Sequence, residues 1–325
     1  MSIFAVPNES REKAVRAETI SVIVPITERH DDIEEMHREY NDALAGTGRT
    51  FEMIYVVDGG FRKAYLELKA MKDRGEKLTL IKHSRSFGEA VAITSGFQQS
   101  SGGIILTLPA YHQVDAAELP KLIESLEGND MVVARRWPRS DSKWNQWQTR
   151  LFHAIIRKMA GNVCNDVGCG VRLFRRKILE EINLYGDLHR FLPVLSHKQG
   201  FRVREIDMKQ SSRETRLRTY PFGVYVRRMI DLLTVFFLVK FTKKPLRFFG
   251  LTGSAVLLGG LAITAYLVVA RLFFDVGLSD RPLFLIGILF VVLGLQIFAI
   301  GLIGEIIIFT HAKEIKEYNV DEIIN

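Results

Sequence analysis

The sequence predicts an α/β domain built on a doubly wound mixed sheet, followed by an interfacial amphipathic segment and two transmembrane helices. Three observations carry this. Across residues 19–220, short β-branched runs alternate with amphipathic stretches. Two later runs of 23 residues, 248–270 and 282–304, hold no charged side chain. The charge is also uneven: the formal net charge of the 325 residues is +7, yet residues 202–247 alone hold 12 Lys and Arg against 4 Asp and Glu. The basicity is therefore one patch ahead of the first apolar run. A content of 47% hydrophobic and 25% charged residues excludes disordered and collagen-like chains.

Residues 1–18 form an N-terminal extension without the apolar core of a cleavable signal. In the domain of residues 19–220, TISVIVPI, FEMIYVVDGG, LTLIKHS and GGIILTLPA read as buried strands, and DDIEEMHREYNDALAG and FRKAYLELKAMKDRG as helices between the first three. Such alternation places ligands at the carboxyl ends of strands, here Glu28 after the first, Asp58 with Gly59 and Gly60 after the second, and residues 108–115 after the fourth. No G-x-G-x-x-G opens the first helix, which argues against a dinucleotide fold. Cys164 and Cys169 are too few for a disulfide scaffold or a zinc site, and read as reduced thiols in the cytosol.

Residues 221–247 form a basic juxtamembrane segment, in which arginines Arg227 and Arg228 among long apolar stretches suit a helix lying in the interface. The region 248–311 then holds two spans, at about 248–272 and 282–308, each near the 20 residues a bilayer crossing needs. Gly250, Gly253, Gly259 and Gly260, with Gly287, Gly294, Gly301 and Gly304, allow close packing of the pair or of protomers, and thus a homo-oligomer. Glu305, just past the second run, is expected to reach out to the interface. Lysines 240, 243 and 244 with Arg247 precede the first span, and Lys313 and Lys316 follow the second, which places the domain and the tail of residues 312–325 in the cytoplasm.

VIVPITE, IYVVDGG, SRSFGEAVAITSGF, the strand ending in PAYHQ, DVGCGVRLFRR and HRFLP resemble, in sequence and order, the family 2 glycosyltransferases that act on polyprenyl phosphates. Dolichyl-phosphate mannose synthases and bactoprenol glucosyltransferases are of this type. The resemblance implies a GT-A domain that moves a sugar from a nucleotide sugar to the phosphate of a membrane lipid with inversion. It implies donor contacts at Pro25, Glu28, Asp58 and Gln113, reaction-centre roles for Asp166, Arg172 and Arg190, and acceptor-phosphate contacts at Arg213, Arg216, Arg218 and Tyr220.

Two departures stand out. Val57 replaces the first acid of the usual Asp-Asp-Gly-Ser, and Pro109 and Tyr111 replace both acids of the usual Asp-Ala-Asp-Leu-Gln that hold a divalent metal. Hard cations prefer carboxylate oxygens. A weakly bound Mg2+ or Mn2+ would have Gln113 and Asp115 left as ligands, so metal dependence is expected to be weakened or absent. Asp166 also fits a turn residue, His83 and His112 fit hydrogen-bonded structural histidines, and the group Trp137, Trp144 and Trp147 beside Arg135, Arg136 and Arg139 fits packing or interfacial anchoring rather than nucleic acid. The expected partners are a nucleotide sugar, a polyprenyl phosphate and the membrane. The alternative is an inactive homologue that binds lipid phosphate or a partner enzyme as a scaffold.

Overall fold

The structure is a computed structural model that describes residues 18–138, 164–184, 186–214, 245–274 and 282–311. These residues fall into two compact units, 18–214 and 245–311. The first holds β1 (Ile20–Ile26), α1 (Ile33–Ala45), β2 (Phe51–Val57), α2 (Arg62–Asp73), β3 (Leu78–Lys82), α3 (Glu89–Gln99), β4 (Ile104–Thr107), α4 (Leu119–Glu124) and β5 (Met131–Arg136). After residue 164 come β6 (Arg172–Arg175), α5 (Lys177–Glu181), a 3-10 turn (Gly186–Phe191), α6 (Leu192–Lys198) and β7 (Val203–Met208).

The sheet order is β3-β2-β1-β4-β6-β5-β7. Strands β1 to β4 are mutually parallel, β6 runs antiparallel between β4 and β5, and β7 pairs parallel to β5. This is the doubly wound mixed sheet read from the sequence, and β1 is buried along its whole length because helices cover both faces. Helix α1 starts at Asp32, whose side chain accepts from Glu35 N at 2.9 Å. It buries Ile33, Met36, Tyr40 and Leu44, spaced by three or four residues, against the sheet. At the amino ends of the strands Glu52 fastens three segments, accepting from Ser21 Oγ at 2.6 Å, Ser101 N at 2.7 Å and Gly102 N at 3.3 Å.

The second unit is a pair of helices, α7 (Pro245–Phe274) and α8 (Pro282–His311), each long and apolar enough to cross a membrane. They run antiparallel, with Gly253, Gly260, Gly287 and Gly294 turned toward the facing helix. A Cβ at Gly260 would lie 2.6 Å from Val291 N, and one at Gly253 2.6 Å from Phe298 N, so the two backbones touch where only hydrogen fits. Gly259, next to Gly260, has open space at its Cβ. Glu305 Oε2 accepts from Leu246 N at 3.3 Å and closes the first turn of α7. Trp137 is exposed with Arg135 stacked 5.2 Å from its ring centre, while Arg139, Trp144 and Trp147, the juxtamembrane residues 221–244, and the tail lie outside the described residues.

Candidate active site

β1 sends the chain to β2 on one side, whereas its other neighbour, β4, leads toward β6, so the crevice above the β1 and β4 ends is the topological switch point. Pro25 lies inside β1 in register with Val56 and is buried. Glu28 follows as an exposed side chain, ion-paired at 3.2 Å with Arg190 of the 3-10 turn. Arg29 comes next. Its guanidinium carbon stands 3.6 Å from the ring centre of Tyr111, which follows β4, and its Nη2 lies 3.4 Å from Glu214 Oε1.

Asp58, at the end of β2, is fully buried, and its carboxylate accepts from His83 Nδ1 at 2.8 Å, Ser86 Oγ at 2.9 Å, Phe87 N at 2.9 Å and Gly88 N at 2.8 Å. Burial opposes its charge, but these hydrogen bonds prevail and hold it below the ordinary carboxylate range. The neighbouring Gly59 has φ +83°, and a Cβ there would lie 2.5 Å from Ser86 N, so the turn admits only glycine. Asp58 thus shapes residues 83–88, and His83 completes the shape by bridging to Ser95 Oγ at 2.9 Å. That is a hydrogen-bonded structural histidine.

The stretch after β4 does not fit a divalent ion. Gln113 is fully buried and spent on protein: its Oε1 accepts from Gly170 N at 2.7 Å, and its Nε2 donates to Tyr111 Oη at 3.2 Å and Gly168 O at 3.3 Å. Asp115 caps the turn of Ala116–Glu118 by accepting from Ala117 N at 3.2 Å. His112 lies at 3.0 Å from Asp31 and 3.3 Å from Glu39. Tyr111 has a cation on its face. Among the described residues no three His, Cys, Asp or Glu side chains converge to hold a metal, so the carboxylate set that such an ion requires is missing.

Asp166 and Arg172 are both engaged with protein groups in this geometry. The Asp166 carboxylate is bidentate with Arg136, at 2.8 Å to Nε and 2.9 Å to Nη2, and both residues are buried. The carboxylates of Asp166 and Glu214 raise the Arg136 pKa against the opposing effect of burial. Arg172 is buried too, donating from Nη1 to His189 O and from Nη2 to Val167 O at 3.3 Å, which ties the 3-10 turn to β6. Asp166 thus faces Arg136, and Arg172 faces backbone carbonyls, while the buried Arg172 Nε has no hydrogen-bond partner among the described residues.

Two further acids escaped the sequence reading. Glu89, the first residue of α3, lies 3.1 Å from His189 Nε2. Burial works against its charge, yet His189 and the cations Arg172 and Arg190 outweigh that and hold it at about 2. Glu214, nearly buried, sits between Arg29, Arg136 at 3.8 Å and Gln210 Nε2 at 3.2 Å. The sequence signal was slight: Glu89 lies inside the quoted SRSFGEAVAITSGF, and Glu214 follows Arg213. Arg213 leans on α1, donating to Glu39 at 2.7 Å, Glu35 at 3.1 Å and His112 Nε2 at 3.2 Å. Arg216, Arg218 and Tyr220 lie outside the described residues.

An open mixed sheet with charged side chains gathered at its switch point defines an α/β enzyme of the GT-A kind. Residues 21–183 match the family Glycosyl transferase family 2, and the chain belongs to that family. It is 31% identical to the undecaprenyl-phosphate 4-deoxy-4-formamido-L-arabinose transferase of Pseudomonas aeruginosa strain LESB58 over 289 residues, covering 88% of this chain and 84% of that one. The same figures hold for the transferase of that name from Pseudomonas paraeruginosa. In fold it is similar to glucosyl-3-phosphoglycerate synthase of Mycobacterium tuberculosis bound to Mn2+, uridine diphosphate and phosphoglyceric acid, with a TM-score of 0.51 at 16% identity over 72% of this chain and 84% of that one. The protein is thus a glycosyltransferase.

Proposed function

We propose that the chain transfers a sugar from a nucleotide sugar to a polyprenyl phosphate at the cytoplasmic face of the membrane, with inversion and without a required divalent metal. The observation that carries this reading is that similarity to an undecaprenyl-phosphate glycosyltransferase extends along 88% of the chain, which includes a pair of membrane-length helices behind the GT-A domain. A phosphate monoester, with a second pKa of about 6, is largely dianionic at neutral pH and attacks without a strong general base. One of its oxygens bonds to the anomeric carbon from the side opposite the nucleotide. The bond from that carbon to the diphosphate breaks, and its electron pair leaves on the β-phosphate oxygen. The protein then has to orient two anions and stabilise the charge that develops on the departing one. Flanking lysines and arginines support the cytoplasmic placement of the domain.

The test is reconstitution in liposomes with undecaprenyl phosphate and a panel of labelled nucleotide sugars. The expected outcome is a lipid-linked sugar of inverted anomeric configuration, formed at a comparable rate with EDTA present. Absence of product from every donor, with lipid binding retained, would favour the scaffold reading instead. That reading has one observation behind it: Asp58, Gln113 and Asp166 all spend their polar atoms on the protein itself.

A further inference from the structure

We infer that Arg29, stacked on Tyr111, is the fixed cation that receives the charge of the leaving nucleoside diphosphate, in place of the metal ion this site does not accommodate. The inference rests on the transferase reading and assigns its leaving-group chemistry to one side chain. Arg29 lies three residues beyond the end of β1, and Tyr111 four beyond the end of β4, so the pair spans the crevice between two adjacent parallel strands. Ligands of open α/β sheets bind in that crevice.

The guanidinium is held in two ways. Its face rests on the Tyr111 ring at 3.6 Å, and its Nη2 faces Glu214 at 3.4 Å. Stacking occupies the face and leaves the in-plane N–H donors for a phosphate, which a guanidinium can grip with two parallel hydrogen bonds. Tyr111 in turn is braced by Gln113 Nε2 at 3.2 Å, so the platform does not have to form when the ligand arrives. Arg136, a buried cation nearby, is already neutralised by bidentate Asp166, and Arg172 is turned toward backbone carbonyls. Among the described residues the hydrogen bond that Arg29 makes is the longer one to Glu214, with the Asp31 carboxylate also in its field, and a diphosphate brings more charge than one carboxylate. When the bond to the anomeric carbon breaks, the nucleoside diphosphate gains one negative charge on its β-phosphate, and Arg29 offsets it without any proton transfer.

The experiment is calorimetric titration of the full chain in detergent with uridine, guanosine and thymidine diphosphates and the matching monophosphates, each with Mg2+ or with EDTA. For the diphosphate that binds, Arg29→Ala should weaken affinity by roughly 10- to 100-fold, the range of charge-assisted phosphate contacts, while the monophosphate changes by less than about threefold. Arg29→Lys, which keeps the charge but loses the fork, should fall between, and thermal melting of both variants should match the unmodified chain. Chelation should leave diphosphate affinity of the unmodified chain unchanged. Equal losses for diphosphate and monophosphate, or unchanged diphosphate binding in Arg29→Ala, would each overturn the assignment while leaving the transferase reading intact, and a tenfold loss on chelation would overturn it together with the metal-free clause of that reading. Failure of every diphosphate to bind the unmodified chain would overturn both.

Discussion

Asp58 shows how a residue named by a motif can act one step away from the ligand. Its carboxylate collects two backbone amides and two side chains, so it behaves as the anchor of residues 83–88. A carboxyl group depressed in the native state contributes stability that is present above its unfolded pKa, about 3.9, and lost as pH falls through the lower native value. Asp58→Asn should therefore speed hydrogen exchange at the Phe87 and Gly88 amides by roughly tenfold at neutral pH, the worth of about 1.4 kcal/mol. The gap between variant and unmodified protein should close below about pH 4. Equal protection at neutral pH would show that the loop holds without the carboxylate. The pair of Arg136 and Asp166 follows the same logic in the interior, where removing one partner strands the other charge.

Among elements, the first four strands and first two helices were legible because each is a run of β-branched or periodic apolar residues bounded by turn residues. Strands β5 to β7 were not, because β6, Arg172–Arg175, has charged ends and gains its place by pairing with β5 and, across some seventy residues of chain, with Ile104–Thr107. The site was legible as identity and not as contact: Asp58, Gln113 and Asp166 were visible, but whether their polar atoms were already taken was not. Arg29 was invisible for a related reason, since its partner Glu214 lies 185 positions away. The helix pair offers a direct test with its own control. Gly260→Leu should drive α7 and α8 apart and lower the melting temperature in detergent, whereas Gly259→Leu, facing open space, should leave it nearly unchanged. Equal effects at both positions would sink the proposed seam.

For the whole molecule, the proposed orientation puts residues 275–280 outside and residues 312–325 inside. Single cysteines placed in each would be challenged with an impermeant thiol reagent on intact cells. The outer position should label and the tail should not until the membrane is opened. The native thiols give little background, since Cys164 and Cys169 are buried, and burial pushes both up, Cys169 to about 12. Labelling of the tail in intact cells would overturn the two-span arrangement. The glycine contacts between α7 and α8 reach further than stability. Two backbones that meet through hydrogen atoms leave no slot between them for a prenyl chain, so under the proposed function a polyprenyl tail would stay among the surrounding lipids. The acceptor would then reach the enzyme by a lateral search in two dimensions, and turnover would follow its surface density in the bilayer rather than its amount in the whole volume.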